Sequence, residues 1–192
     1  MYSYENSMRL ERMVFYELRD AIMNAKDYRM TALNWMSHGF DVILKQRSNW
    51  DYGHFKAAVN HWVTYDDAQI PTDLNYQDKS ALKDFLMHRT SQILDQIESS
   101  IADPKQIDQF YRSGLLKAMD DAWVDQVAYL GYLKTLVQPW TLLQRNPMAV
   151  YHDKAYNRFK QMINDIAKET IRNLLLSTID LNEDGEVVVY FV

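Results

Sequence analysis

The groups that could carry chemistry are few and dispersed. Asp120, Asp121 and Asp125 form an acidic patch beside Trp123. Carboxylates do general acid–base work only where a pocket shifts one of their pKa values, and no pocket is legible here. A solvated face, or a docking surface for basic groups, is the expected role. An enzyme using Asp120, Asp121 and a histidine is a rival that requires those groups to converge. Of the five histidines, His54 and His61 are seven apart and share a helical face, whereas His38, His88 and His152 stand alone. Without a carboxylate at ligand spacing they suit surface or packing roles better than a metal. Asp180–Gly185 matches the first half of a calcium loop, but its twelfth position is Phe191 where a bidentate Glu is needed, so a plain turn is expected. The glycines at 39, 53, 114, 131 and 185 are isolated, so no phosphate loop forms, and neither a nucleophile elbow nor a His-Glu-x-x-His pair is present. With no cysteine, thiolate chemistry is excluded too. No catalytic, cofactor-binding or metal-binding residue is expected in this chain.

The elements around these groups are helical. The chain has 192 residues, enough for one good-sized domain or two small ones. Hydrophobic residues make up 47% and charged ones 24%, too apolar for a disordered chain. With 5 Gly and 4 Pro among long periodic segments, an all-α fold is expected. The net charge of −5 argues against a nucleic-acid partner. No apolar run approaches membrane-spanning length, and the N-terminus lacks a signal-peptide pattern, so membrane contact is expected to be peripheral or through a partner.

The strongest pattern is a helical hairpin. Leu116, Met119, Trp123, Val127 and Leu130 recur at helical spacing, and Ile163, Ile166, Ala167, Thr170, Ile171, Leu174 and Leu175 do so on a returning arm. Pro139 and the Asn146-Pro147 cap force a turn between them, over 138–146. Each arm of roughly 30 residues would be about 45 Å long. Trp123, Val127, Ile166 and Ile171 are the expected seam between the arms. Trp140, Leu142 and Leu143, with Arg145 at the polar rim, cannot be buried by a two-helix turn, so the tip is expected to touch another molecule.

Elsewhere, a first helix uses Leu10, Val14, Leu18, Ala21, Ile22 and Ala25, and opens without a capping residue, as a chain cut from something longer would. Asp27–Leu44 continues helical, weakened by Gly39. A short aromatic-rich helix is expected near Tyr52–Tyr65, a loop over Asp66–Asn75, and a helix over Asp78–Ser100. Asp103-Pro104 opens the outgoing arm. Val187–Phe191 forms one β-rich run, a strand expected to pair outside this chain or to fray.

Several of these segments resemble SecA, the bacterial preprotein translocase ATPase. Met119-Asp120-Asp121-Ala122-Trp123, Leu133, Gln144-Arg145-Asn146-Pro147 and Tyr151 look like that family's two-helix finger. Tyr4-Glu5-Asn6-Ser7-Met8, with Arg12, Tyr16 and Arg19, looks like its scaffold-helix segment. Ala122–Val127 and the Arg172–Ser177 run with its β tail resemble the accessory SecA branch of Gram-positive bacteria. Housekeeping members carry a tyrosine in a Gly-Tyr-Ala-Gln tip; Thr141-Leu142-Leu143-Gln144 stands here, with Trp140 where an arginine precedes it. Leu142 keeps apolar contact but loses the phenol.

The resemblance implies a scaffold segment at 1–26, a helical wing at 27–105, the finger at 106–177 with its tip at 138–146, and a turn and terminal strand at 178–192. The expected fold is therefore all-α, with a long scaffold helix, a small helical wing, a long antiparallel hairpin and one short C-terminal β-strand. It implies a cytoplasmic, peripherally membrane-associated part that couples an ATPase to polypeptide export. ATP and magnesium would be held by motor domains outside this chain. Implied partners are the rest of the motor, a SecY-type channel and the preprotein, and a homodimer is allowed. Trp140, Leu142, Leu143 and Arg145 would touch the polypeptide or channel. The rival outside export is a free-standing helical protein–protein interaction module.

Overall fold

Side-chain caps set most of the helix starts. Asp27 accepts from the Met30 amide at 2.8 Å, Asp51 from His54 at 2.9 Å, and Asp78 from Ser80 and Ala81 at 2.9 and 3.3 Å. Each satisfies donors that a first turn leaves unpaired. In the computed structural model these caps open α2 (Tyr28–Lys45), α3 (Tyr52–Trp62) and α4 (Lys79–Ser100). Asp103 accepts from the Lys105 amide as α5 (Pro104–Val137) begins. Asn146 accepts from Met148 and Ala149 ahead of α6 (Pro147–Leu175), with Pro147 in its first turn. α1 covers Tyr4–Met23. The structure describes residues 4–65, 69–137, 146–183 and 186–192.

α5 and α6 are the longest elements, 34 and 29 residues, or about 51 and about 44 Å at the α-helical rise. They run antiparallel. Gly114 near the start of α5 packs on Leu174 near the end of α6, while Leu130, Leu133 and Val137 cluster with Tyr151 and Ala155 at the start of α6. α2 crosses α6 at Gly39, where an added Cβ would lie 2.7 Å from the Ala167 carbonyl oxygen. A side chain there would hold the two backbones apart. The main core joins α1–α6 through Phe15, Phe40, Phe55, Leu82, Leu94, Phe110, Leu115, Ile166 and Ile171.

Three expectations need correction. On α1, Leu10 and Val14 are 49% and 44% exposed, whereas Phe15 and Ile22 are buried. The helix turns its aromatic residue inward because Trp123 offers a flat ring to stack on. On α5, Leu115, Ala118, Gln126 and Leu133 are buried where Leu116 and Val127 are only half-buried. That face is rotated because α5 packs against α1, α2 and β2 as well as α6. Finally, the terminal strand does not lack a partner within the chain. β1 (Thr178–Leu181) pairs antiparallel with β2 (Val187–Tyr190), in register Thr178↔Tyr190 to Leu181↔Val187. The Asn182 side chain accepts from the Glu186 amide at 2.8 Å and helps close the loop. Ile179, Val187 and Val189 pack on the main core, which supplies the support that a two-stranded ribbon lacks alone. Sequence periodicity missed β1 because Thr178-Ile179-Asp180-Leu181 is short and carries a charge.

Candidate functional site

Along the hairpin, α1 is fastened by one contact about every turn. Arg19 grips Asp120 with Nε at 2.9 Å and Nη2 at 3.2 Å. Phe15 stacks on Trp123, with ring centroids 4.6 Å apart and planes 14° from parallel. Glu11 accepts from Gln126 Nε2 at 2.7 Å, Ser7 hydrogen-bonds His152, and Tyr4 meets Tyr151 edge-on at 4.7 Å. The spacing of Tyr4, Ser7, Glu11, Phe15 and Arg19 is the spacing of one helix face. The contacts change from ionic midway along the hairpin, through aromatic and buried polar, to aromatic towards its far end.

The far end has its own small core. Leu130, Leu133, Val137, Tyr151 and Ala155 are buried there, and Tyr4 and Met8 of α1 pack against them. Lys134 lies 5.7 Å from the Tyr4 ring centroid, at cation–π distance. Burial raises the Tyr151 pKa, and the Glu11 charge and Tyr4 push the same way. Burial also pushes the Glu11 carboxyl up, with the Gln126 bond working against it. Gln126 is fully buried and its Oε1 has no acceptor role filled among the described residues. The α1 seam therefore holds a charge and an amide oxygen that both fit poorly in a dry site.

At the base, a polar junction joins three helices. Tyr111 of α5 donates to Glu98 of α4 at 2.5 Å, and Arg29 of α2 donates to Glu98 at 2.7 Å and Asp95 at 2.6 Å. Burial, followed by the Glu98 hydrogen bond and charge, moves the Tyr111 pKa well above the ordinary tyrosine range. A cleft of about 300 Å³ lies between the arms, lined by Lys117, Asp121, Asp125, Arg158, Asp165 and Glu169 among others. Lys117 pairs with Asp121, and Arg158 with Asp165.

The acidic patch is not a catalytic pair. Asp120 and Asp121 are exposed and each pairs with a different cation, Arg19 and Lys117. His54 bonds to Asp51 in the α3 cap at 2.5 Å, and His61 stands edge-on to Trp62. Among the described residues no group of three or more His, Asp or Glu side chains could hold a metal ion, and no helix is long and apolar enough to cross a membrane. Ile166 and Ile171 are fully buried in the main core, Val127 is half-buried, and Trp123 is half-buried against Phe15 of α1. The tip residues Trp140, Leu142, Leu143 and Arg145 lie outside the described residues. The seam residues Glu11 and Phe15, and the Arg29–Tyr111 junction, escaped the sequence pattern. The four-residue recurrence of Tyr4, Ser7, Glu11, Phe15 and Arg19 was the available signal, hidden because its members differ in polarity. Such an arrangement fastens α1 to both arms of the hairpin.

Residues 1–178 match the family model of the SecA Wing and Scaffold domain. Three relatives named protein translocase subunit SecA 2 align over nearly the whole chain. The one from Lactobacillus johnsonii is 31% identical over 182 residues, 95% of this chain and 23% of the relative. Those from Streptococcus agalactiae and Staphylococcus epidermidis are 28% and 29% identical, each over 98% of this chain and 24% of the relative. The chain thus spans about a quarter of the length of the curated relatives it matches.

Proposed function

Since the chain belongs to the SecA Wing and Scaffold domain family, we propose that it is the C-terminal helical part of an ATP-driven preprotein translocase of the accessory branch. Its work is mechanical: it couples movement of an ATPase to export of a polypeptide through a membrane channel. The observation that carries this is the antiparallel pair α5 and α6 with α1 fastened along it, in a chain that matches the family over 1–178. A rod braced on a third helix can pass a displacement at its base to its far end, where an unbraced pair would bend. The name shared by the relatives, SecA 2, supports the accessory branch.

On this proposal residues 1–26 form the scaffold segment, 27–105 the wing, 106–177 the finger and 178–192 the closing turn and strand. Trp140, Leu142, Leu143 and Arg145, at the tip over 138–146, contact the polypeptide or the channel. The partners are the rest of the motor, a SecY-type channel and the preprotein. ATP and magnesium are bound by motor domains outside this chain, and the whole works at the cytoplasmic face of the membrane, held there through the channel. The test is export by the full-length protein carrying Leu142→Ala. Export is expected to fall while the protein accumulates normally. Unchanged export removes the tip from the mechanism.

A further inference from the structure

The chain passes between the hairpin with α1 and the α2–α4 helices twice, at 24–27 and at 101–103. Both crossings lie beside the polar junction at the hairpin base. Arg29 is the second residue of α2, and Glu98 stands in the last turn of α4. The Tyr28 hydroxyl ties the first crossing by donating to the Met23 carbonyl at 3.0 Å. Glu98 is shared atom by atom. Its Oε2 accepts from Arg29 Nη1, and its Oε1 accepts from the Tyr111 hydroxyl. The other arm of the Arg29 fork reaches Asp95, one turn earlier on α4. One carboxylate therefore joins α2, α4 and α5.

Stability alone does not call for such a joint. Leu94, Phe110 and Leu115 already fill the core around it, and one guanidinium answering two carboxylates leaves a negative charge in surplus. Ion pairs in such sites can often be replaced by apolar side chains with little loss of stability. Apolar packing, however, is non-directional, whereas a guanidinium fork and a tyrosine hydroxyl fix positions and angles. The Gly39 crossing seats α2 on α6 at one point and leaves rotation about that point open. A second point of attachment, at Arg29 about 15 Å along α2, removes that freedom. We propose that Arg29, Glu98 and Tyr111 form a clasp that sets a single angle between α2–α4 and the hairpin, so that the two move as one body. The Lys83–Asp41 pair joins α4 to α2 and leaves that angle unset. The inference concerns the shape of this chain and is independent of the export reading.

The test places spin-label pairs in a chain that has no native cysteine. Ser80→Cys at the start of α4 and Asn157→Cys on α6, both exposed, report the distance between the two parts. Thr135→Cys with Asn157→Cys reports the hairpin alone. Both pairs should give one narrow distance distribution in an otherwise unchanged chain. Replacing the clasp by apolar side chains, Arg29→Met with Glu98→Leu and Tyr111→Phe, should roughly double the width for the Ser80 pair while Tm stays unchanged. The hairpin pair should stay narrow. Tyr111→Phe alone removes one oxygen and keeps the ring packed, so it reads the same widening, to a lesser degree, even where the triple variant fails to fold. An unchanged width for the Ser80 pair, with or without a fall in Tm, overturns the clasp as an angle-setting device. Equal widening of both pairs overturns it too, because that is general loosening. A broad distribution for the Ser80 pair with the clasp intact overturns the single angle.

Discussion

Glu11 is a carboxylate placed where an amide would fit better. Gln126 donates to it at 2.7 Å, but the other amide atom of Gln126, its Oε1, is buried and needs a donor that an ionised carboxylate lacks. Burial raises the Glu11 pKa above its ordinary value, so the folded chain holds that proton more tightly than the unfolded one. By linkage, this residue's contribution makes stability fall as pH rises from the ordinary glutamate pKa up through the raised one. Glu11→Gln removes the titration and offers an N–H to Gln126 Oε1. The expected gain at neutral pH is about 1 kcal/mol, a rise of about 2–4 °C in Tm for a chain of this size. Melting curves between acid and neutral pH check it: the gain should shrink as the wild-type carboxyl becomes protonated. A lower Tm for the variant at neutral pH would show that the charge is needed in place.

Helix crossings give the glycines opposite meanings. Gly39 lies at the contact of α2 with α6, where an added Cβ would sit 2.7 Å from a backbone oxygen and 2.8 Å from Ile171 Cδ1. Gly131 has nothing within 4 Å of such a Cβ and stands exposed in the far half of α5. Gly39→Ala should therefore destabilise by about 1–3 kcal/mol through overpacking, whereas Gly131→Ala should stabilise by about 1 kcal/mol through helix propensity. Urea titrations of both variants read the two signs directly, and a stabilising Gly39→Ala would mean the helices can separate at no cost. The same pair shows what sequence patterns can carry. Helix positions were legible because caps such as Asp27, Asp78 and Asn146 act locally, over two or three residues. The hairpin was legible because two prolines bracket its turn. Gly39 looked like a weakness in the sequence because its role depends on a residue 128 positions away, Ala167. Phe15 and Glu11 were missed for the same reason, since each is specified by a partner distant in the chain, Trp123 and Gln126, rather than by its neighbours.

At the scale of the molecule, the hairpin is supported unevenly. Its base is embedded in the main core with α2, α3 and α4, through Phe110, Tyr111, Leu115, Ile166 and Leu174. Its far half depends on Leu130, Leu133, Val137, Tyr151 and Ala155, with Tyr4, Met8, Tyr129 and Val150 packed around them. Local opening costs least where few apolar side chains are buried. Backbone amides over 130–137 and 150–155 should thus exchange with solvent faster than those over 111–119 and 166–175. Tyr4→Ala tests whether α1 braces the far half, because Tyr4 meets Tyr151 edge-on there and touches no part of the base core. Losing that ring should speed distal exchange roughly five- to tenfold, equivalent to about 1–1.4 kcal/mol for an aromatic pair, and leave the base unchanged. Hydrogen exchange read segment by segment distinguishes the outcomes. Equal acceleration along both arms would mean that the hairpin opens as one unit. No acceleration anywhere would mean that α1 lies on the hairpin without stiffening it, which would remove the bracing on which the proposed coupling rests.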